Sequence, residues 1–159
     1  MTACAPQAPQ RPSTRKGAEP QPDSMQLALM EMNLRLAQTA DEEVVRYVQA
    51  GGKAFALYDN HTWIYICDKG DETRPRLLPG EQRVVYMEVC DLNGKRLADI
   101  QRPYCIGKTE LPPAVDECAV YLHPQARALI AAPWYMAFGA RGGDGVPPYT
   151  NVLIDLKIL

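Results

Sequence analysis

The side chains with the most reactive chemistry in this chain of 159 residues belong to five cysteines and two histidines. They stand far apart in the sequence, at Cys4, Cys67, Cys90, Cys105, Cys118, His61 and His123. Structural zinc sites draw their ligands from closely spaced cysteine and histidine pairs, and no CxxC pair occurs here. The sequence therefore predicts no metal site and no cofactor. It favours small buried thiols for the last four cysteines, although spacing alone leaves disulfide pairing open.

Cys4 differs from the other cysteines because small residues precede it. The segment Thr2-Ala3-Cys4 resembles the end of a bacterial lipoprotein signal, in which the cysteine carries the lipid. Neither a basic region nor an apolar stretch stands upstream, so an ordinary leader is the alternative. Residues 1–23 are rich in Pro and Gln and are predicted to form a disordered tether. Lipidation would make the protein a periplasmic or outer-membrane-anchored lipoprotein, and an unmodified Cys4 would leave it cytoplasmic.

Bulk composition limits the possible functions. The chain is 47% apolar with a net charge of −2, which predicts one soluble domain with an appendage. Nucleic-acid binding requires a clustered basic surface, so a nucleic-acid partner is not expected. No apolar run approaches the roughly 18 residues of a membrane span. Contact with a membrane is expected only through a lipid on Cys4.

Residues 24–52 are predicted to form an N-terminal helical extension. Apolar residues recur at helical spacing, Asp23 or Ser24 can cap the start, and Gly51-Gly52 ends the pattern. Thr39-Ala40-Asp41 indicates a break into two helices. A packing or linker helix is the preferred interpretation, and a dimerisation arm is the alternative.

The pattern of residues 53–159 predicts short strands around one helix. The predicted strands lie at Lys53–Tyr58, Thr62–Asp68, Val84–Val89, Tyr104–Gly107, Arg127–Ala132 and Val152–Leu159, and the predicted helix at Pro112–Leu122. Proline is tolerated in the first turn of a helix, and Pro124 follows the predicted helix end. Most connections are hairpins or loops, so the fold class is α+β, an antiparallel sheet wrapped around a short helix.

Several landmarks carry a resemblance to a known family. In chain order they are Lys69-Gly70-Asp71, Pro79-Gly80, Val84-Val85-Tyr86, Asn93-Gly94-Lys95, Ile106-Gly107-Lys108, Leu111–Val115, Ala137-Phe138-Gly139 and Val146-Pro147-Pro148. This pattern resembles the FKBP-type peptidyl-prolyl cis-trans isomerases. The helical extension is also similar to the one that precedes the isomerase domain in FKBP-type lipoproteins of Bacteroidetes.

The resemblance implies a site for Xaa-Pro bonds. It assigns catalytic positions to Tyr86, Asp99 and Phe138, and substrate-binding positions to Leu97, Leu111, Pro112, Val115, Val146 and Ile154. Prolyl isomerisation needs no acid, base or nucleophile. An apolar pocket favours the twisted amide of the transition state, and hydrogen-bond donors hold the substrate carbonyl.

This sequence departs from the family pattern at the donors. Pro112 has no N–H at the position where the family uses one, and Phe138 replaces a tyrosine. Val115 replaces the tryptophan of the pocket floor, and Ala98 occupies the position of the pocket aspartate, one residue before Asp99. The expected function is therefore a weakened isomerase that acts on proline-containing polypeptides among exported proteins. The alternative is a catalytically silent FKBP-like binding or chaperone module, and the oligomeric state stays open.

Overall fold

A computed structural model describes residues 22–59 and 61–159 of the chain. Helix α1 spans Ser24–Ala50 and helix α2 spans Pro113–Ala119, and a single 3-10 turn covers Trp134–Met136. The six strands are β1 at Ala56–Tyr58, β2 at Thr62–Asp68, β3 at Gln82–Asp91, β4 at Arg96–Cys105, β5 at Arg127–Ala132 and β6 at Val152–Ile158. Cys4 and nearly all of the predicted tether lie outside the described residues.

Helix α1 is one continuous helix, so the predicted break at Thr39–Asp41 is wrong. Asp23 caps its start in a capping box with Gln26. Asp41 does not cap a second helix because its carboxylate accepts a hydrogen bond from the Tyr135 hydroxyl at 2.5 Å. Ala40 beside it is buried, so tertiary packing reaches the helix at this point.

The strands form one sheet in the order β1-β2-β5-β6-β3-β4, and every neighbouring pair is antiparallel. The hairpin predicted at Asn93-Gly94 joins β3 to β4, with Gly94 at a φ of 88°. Strand β4 is continuous where the sequence predicted only its last part. With helix α2 against the sheet, this arrangement confirms the predicted α+β architecture with an N-terminal helix ahead of it.

Helix α2 packs against one face of the sheet, which we call the inner face. Alternate residues of each strand point to this face and form the main core, for example Val85, Met87 and Val89 of β3. Ile130 and Ile154 face it from the central strands and are fully buried. The core therefore lies between the short helix and the concave side of the sheet.

The second half of α1 covers part of the opposite, outer face. Val44 and Val48 pack on Ala131 of β5, whose neighbour Ile130 belongs to the inner core. Polar contacts add to this packing, since the Asn151 side-chain amide donates to Glu43 at 2.7 Å. Strand β5 is consequently buried on both sides.

Helix α1 is the longer of the two helices, with 27 residues. No helix among the described residues is both long and apolar enough to cross a membrane.

The structure predicts that Gly70→Ala will destabilise the fold strongly. Gly70 has a φ of 74°, and a Cβ atom there would lie 2.3 Å from the Pro124 carbonyl oxygen and 2.5 Å from the Ala126 nitrogen. Gly80→Ala is the matched control, because Gly80 has a φ of 93° and no atom within 4 Å of the added Cβ. In urea unfolding, we expect a loss of about 1–2 kcal/mol for the control and about 3 kcal/mol or more for Gly70→Ala. Equal losses would contradict this packing.

Candidate functional site

Six of the predicted site residues lie together at the inner face. Leu111 precedes α2 and Val115 lies in its first turn, Val146 lies in the glycine-rich loop at residues 142–146, and Ile154 lies in β6. All four are buried in the main core. Leu97 of β4 and Phe138 are partly buried against the same core. We call these residues the apolar cluster.

Pro112 is the N-cap residue of α2 and is buried. Its carbonyl oxygen accepts hydrogen bonds from the N–H groups of Val115 and Asp116 at 2.9 and 3.1 Å. As a proline it offers no N–H, and Pro113 follows it directly. This segment therefore fixes the start of α2. Its carbonyl acceptor is already occupied by the N–H groups of the helix.

Tyr86 and Asp99 lie on the outer face, away from the apolar cluster. The Tyr86 hydroxyl donates to Asp99 at 3.1 Å, and Arg96 binds Asp99 and lies 3.6 Å from Glu88. The hydrogen bond from Arg96 lowers the pKa of Asp99, and the hydrogen bond to Asp99 raises the pKa of Tyr86. These two residues therefore belong to an exposed polar network and not to the pocket wall that the sequence analysis expected.

Met87, the residue after Tyr86 on β3, points to the inner face and has no exposed surface. Side chains alternate along a strand, so a shift of one residue moves an assignment to the other face. Opposite Val89 on β4 stands Ala98, which is partly buried against the core. The sequence already indicated which residues of β3 face inward, because apolar Val85, Met87 and Val89 alternate with Tyr86 and Glu88.

Arg102 borders the apolar cluster and was not singled out from the sequence. Its guanidinium donates to the Glu110 carbonyl oxygen at 3.0 Å, and another nitrogen lies 3.9 Å from the Asp144 carboxylate. Glu110 precedes α2 and Asp144 lies in the glycine-rich loop. One side chain of β4 thus connects the two loops that flank the cluster.

The backbone donors around the cluster are largely used within the fold. In the glycine-rich loop, the N–H of Gly143 donates to the Val146 oxygen at 3.0 Å, and the N–H of Val146 donates to the Gly143 oxygen at 2.8 Å. The N–H of Gly139 donates to the Trp134 oxygen at 2.8 Å. The loops thus offer few free donors to a ligand carbonyl.

A buried polar pair lies behind the cluster. Tyr104 is almost fully buried, and its hydroxyl donates to one oxygen of Asp116. The other oxygen of Asp116 is buried without a hydrogen-bond partner. Burial raises the pKa of the Asp116 carboxyl even though the Tyr104 hydrogen bond opposes this shift.

Burial likewise raises the pKa of Cys118 to about 12, so this thiol is no nucleophile at neutral pH.

The apolar cluster is closed in this structure. Val115 and Ile154 have no exposed surface, so Leu97 and Phe138 form the accessible edge of the cluster. Five cavities on the described part of the chain lie elsewhere, the largest a polar one of about 660 Å³ near Gly70, Gln125 and Lys157. This cavity is separate from the cluster, because no residue of the cluster lines it.

Comparison with solved structures identifies the fold. The N-terminal domain of FKBP42 from Arabidopsis thaliana has a TM-score of 0.58 and 15% identity, over 68% of this chain and 91% of that chain. AtFKBP13 has a TM-score of 0.57 and 16% identity, over 65% of this chain and 95% of that chain. No protein-family model and no curated protein matches the sequence. At these identities the likeness shows that the fold is of the FKBP type.

The two carboxylates predict opposite effects of pH on stability. Because folding raises the pKa of Asp116, its contribution to the free energy of unfolding is fully present below the unfolded-state pKa of 3.8. That contribution is lost as the pH rises through the folded-state pKa. The lowered pKa of Asp99 gives a contribution that is present above 3.8 and lost as the pH falls. In urea unfolding at pH 7, we expect Asp116→Asn to be more stable than the parent chain and Asp99→Asn to be less stable. Both differences should shrink toward pH 3, and effects of the same sign would contradict the assignment.

Proposed function

We propose that residues 53–159 form a peptidyl-prolyl isomerase-type module that binds proline-containing segments and isomerises Xaa-Pro bonds slowly. The observation that carries this proposal is the apolar cluster between α2 and the inner face of an FKBP-type sheet. It is assembled from the start of the helix, the glycine-rich loop and the last strand.

The apolar character of the cluster suits the chemistry of isomerisation. Rotation about an Xaa-Pro bond loses amide resonance, with a barrier of about 18–20 kcal/mol. An environment poor in water favours the twisted transition state over the planar ground state. No titratable group needs to act, which agrees with an interior whose acid, Asp116, is already bound to Tyr104.

We assign the first contact with substrate to Phe138 and Leu97, because these members of the cluster are only partly buried. Leu111 and Val146 would form the sides of the opened site, and Val115 and Ile154 its floor. Tyr86 and Asp99 have no place in this proposal.

The scarcity of donors makes slow turnover the expected behaviour. Pro112 has no N–H, Phe138 has no hydroxyl, and the nearby N–H group of Gly139 is bound within the fold. Each missing hydrogen bond to a substrate carbonyl costs about 0.5–1.5 kcal/mol of binding.

A binding module without turnover is the second candidate. The complete burial of Val115 and Ile154 favours it, since substrate reaches this floor only if the side chains packed over it move apart. Such a module would hold a polypeptide over Phe138 and Leu97 at the surface. The two candidate functions use the same site and differ in whether Xaa-Pro isomerisation is accelerated there.

A proline-limited refolding assay separates the two candidates. We expect weak acceleration by the parent chain, and a fall of about tenfold in catalytic efficiency for Phe138→Ala, or ~1.4 kcal/mol of transition-state stabilisation. Tyr86→Phe is the matched control and should leave the rate unchanged, because its ring lies on the outer face. Absence of acceleration by folded parent protein would reject the isomerase. A rate lost in Tyr86→Phe but kept in Phe138→Ala would reject the site.

We also propose that the protein is an exported lipoprotein, of the type found in Bacteroidetes, with its lipid on Cys4. The support is the small residues before Cys4 and the composition of residues 1–23, both read from the sequence. On this proposal the clients are exported polypeptides.

Mass spectrometry of the N-terminus of the protein from its native cell tests this localisation. We expect a chain that begins at Cys4 and carries acyl groups, in the membrane fraction. The Cys4→Ser variant should lose the acyl mass and leave that fraction. An unmodified Met1 or Cys4 in the native protein would reject lipidation and favour a cytoplasmic location.

A further inference from the structure

The first half of helix α1 projects with its apolar side chains uncovered. We call residues 24–39 the arm. Its large apolar side chains are between 38% and 73% exposed, and they are Met25, Leu27, Leu29, Met30, Met32, Leu34 and Leu36. Buried residues of α1 begin only at Ala40. Exposed apolar surface of this extent marks an interaction site.

The apolar residues of the arm form two stripes at helical spacing. The first stripe is Met25, Leu29, Met32 and Leu36, and the second stripe is Leu27, Met30 and Leu34. Successive residues of a helix are rotated by about 100°, so the two stripes lie on roughly opposite sides. Steps of three and four residues are those with which helices interdigitate.

Neither stripe continues the face that docks on the domain. Ala40, Val44 and Val48 form the docked face. Extended along the arm, that face carries Gln26 and Asn33, with Met30 at its edge in line with Val48. The centres of the two stripes are turned from the centre of that face by roughly 70–90° in opposite directions. The domain to which the arm belongs therefore covers neither stripe.

Two other occupants fit the arm poorly. Residues 1–21 contain a single large apolar residue, Met1, so they lack the side chains to cover seven exposed ones. A helix that lies on a membrane has one apolar face and a polar face rich in Lys and Arg. The arm has two apolar stripes, and its charged residues are Glu31 and Arg35, which pair with each other at 2.8 Å.

We propose that the arm binds the same arm of further copies of this chain, stripe against stripe. The arm is electrically neutral, so identical arms do not repel one another, and each brings the same stripes to the contact. The seven side chains together supply apolar area on the order of the 800 Å² that one partner buries in a standard interface, and each stripe brings about half of it to one contact. Because the stripes face opposite ways, one arm has room for two neighbours.

Light scattering on the full chain after size exclusion tests this proposal. The chain should carry Cys4→Ser and be kept reduced, so that neither lipid nor a Cys4 disulfide contributes. We expect a molar mass of two or more chains. A mass of one chain at tens of micromolar would overturn the proposal.

Variants of each stripe locate the contact. Leu29→Glu with Met32→Glu disrupts the first stripe, and Leu27→Glu with Leu34→Glu disrupts the second. Glu favours helix, so circular dichroism should show the parent helix content. We expect at least one stripe pair to raise the dissociation constant tenfold or more, and both pairs to do so if each arm has two neighbours.

A control with the same charge change lies on the polar side of the arm. Ala28→Glu with Gln38→Glu should leave the molar mass unchanged. Oligomers that survive both stripe pairs, or that fail equally in the control, would overturn the proposal. A monomer that sediments with vesicles of phosphatidylcholine and phosphatidylglycerol would overturn it in favour of a membrane surface.

Discussion

The fold depends on the burial of strand β5 on both of its faces. Ile130 points into the core beneath α2, and its neighbour Ala131 points to the opposite side, beneath Val44 and Val48 of α1. Loss of either helix would expose one side of a central strand to water. The second half of α1 is therefore part of the domain core, and packing crosses the predicted domain boundary at residue 52.

Much of the fold could be predicted because its signals are local. Alternation and turn residues such as Asn93-Gly94 mark strands and hairpins, and the unbroken apolar run of β5 indicates burial on both faces. The features that could not be predicted depend on tertiary contacts. Asp41, the predicted cap of a second helix, instead accepts a hydrogen bond from Tyr135 within a continuous α1. Strand β4 continues through Pro103 because it is an edge strand, where proline is tolerated.

The site was predictable as a set of apolar positions but not as a set of donors. Leu111, Val115, Val146 and Ile154 have side chains whose types already indicate burial. Tyr86 was assigned to the pocket wall, but it lies on the outer face, because side chains alternate along a strand and its neighbours Val85 and Met87 face the core. The sequence shows that Pro112 has no N–H, but only the fold shows that the Gly139 N–H already donates to Trp134 and the Tyr104 hydroxyl to Asp116.

The distribution of exposed apolar surface connects the site with the arm. At the site, packing has buried most of the apolar side chains, and only Leu97 and Phe138 remain partly accessible. On the arm, seven large apolar side chains face water. Hydrophobic association scales with the apolar area removed from water, so the arm has more to gain from a partner than the closed cluster has. Assembly through the arm would place several clusters in one particle, and a polypeptide with several prolines could then bind at several weak sites at once. Weak individual sites and an associating arm are therefore compatible features of one chain.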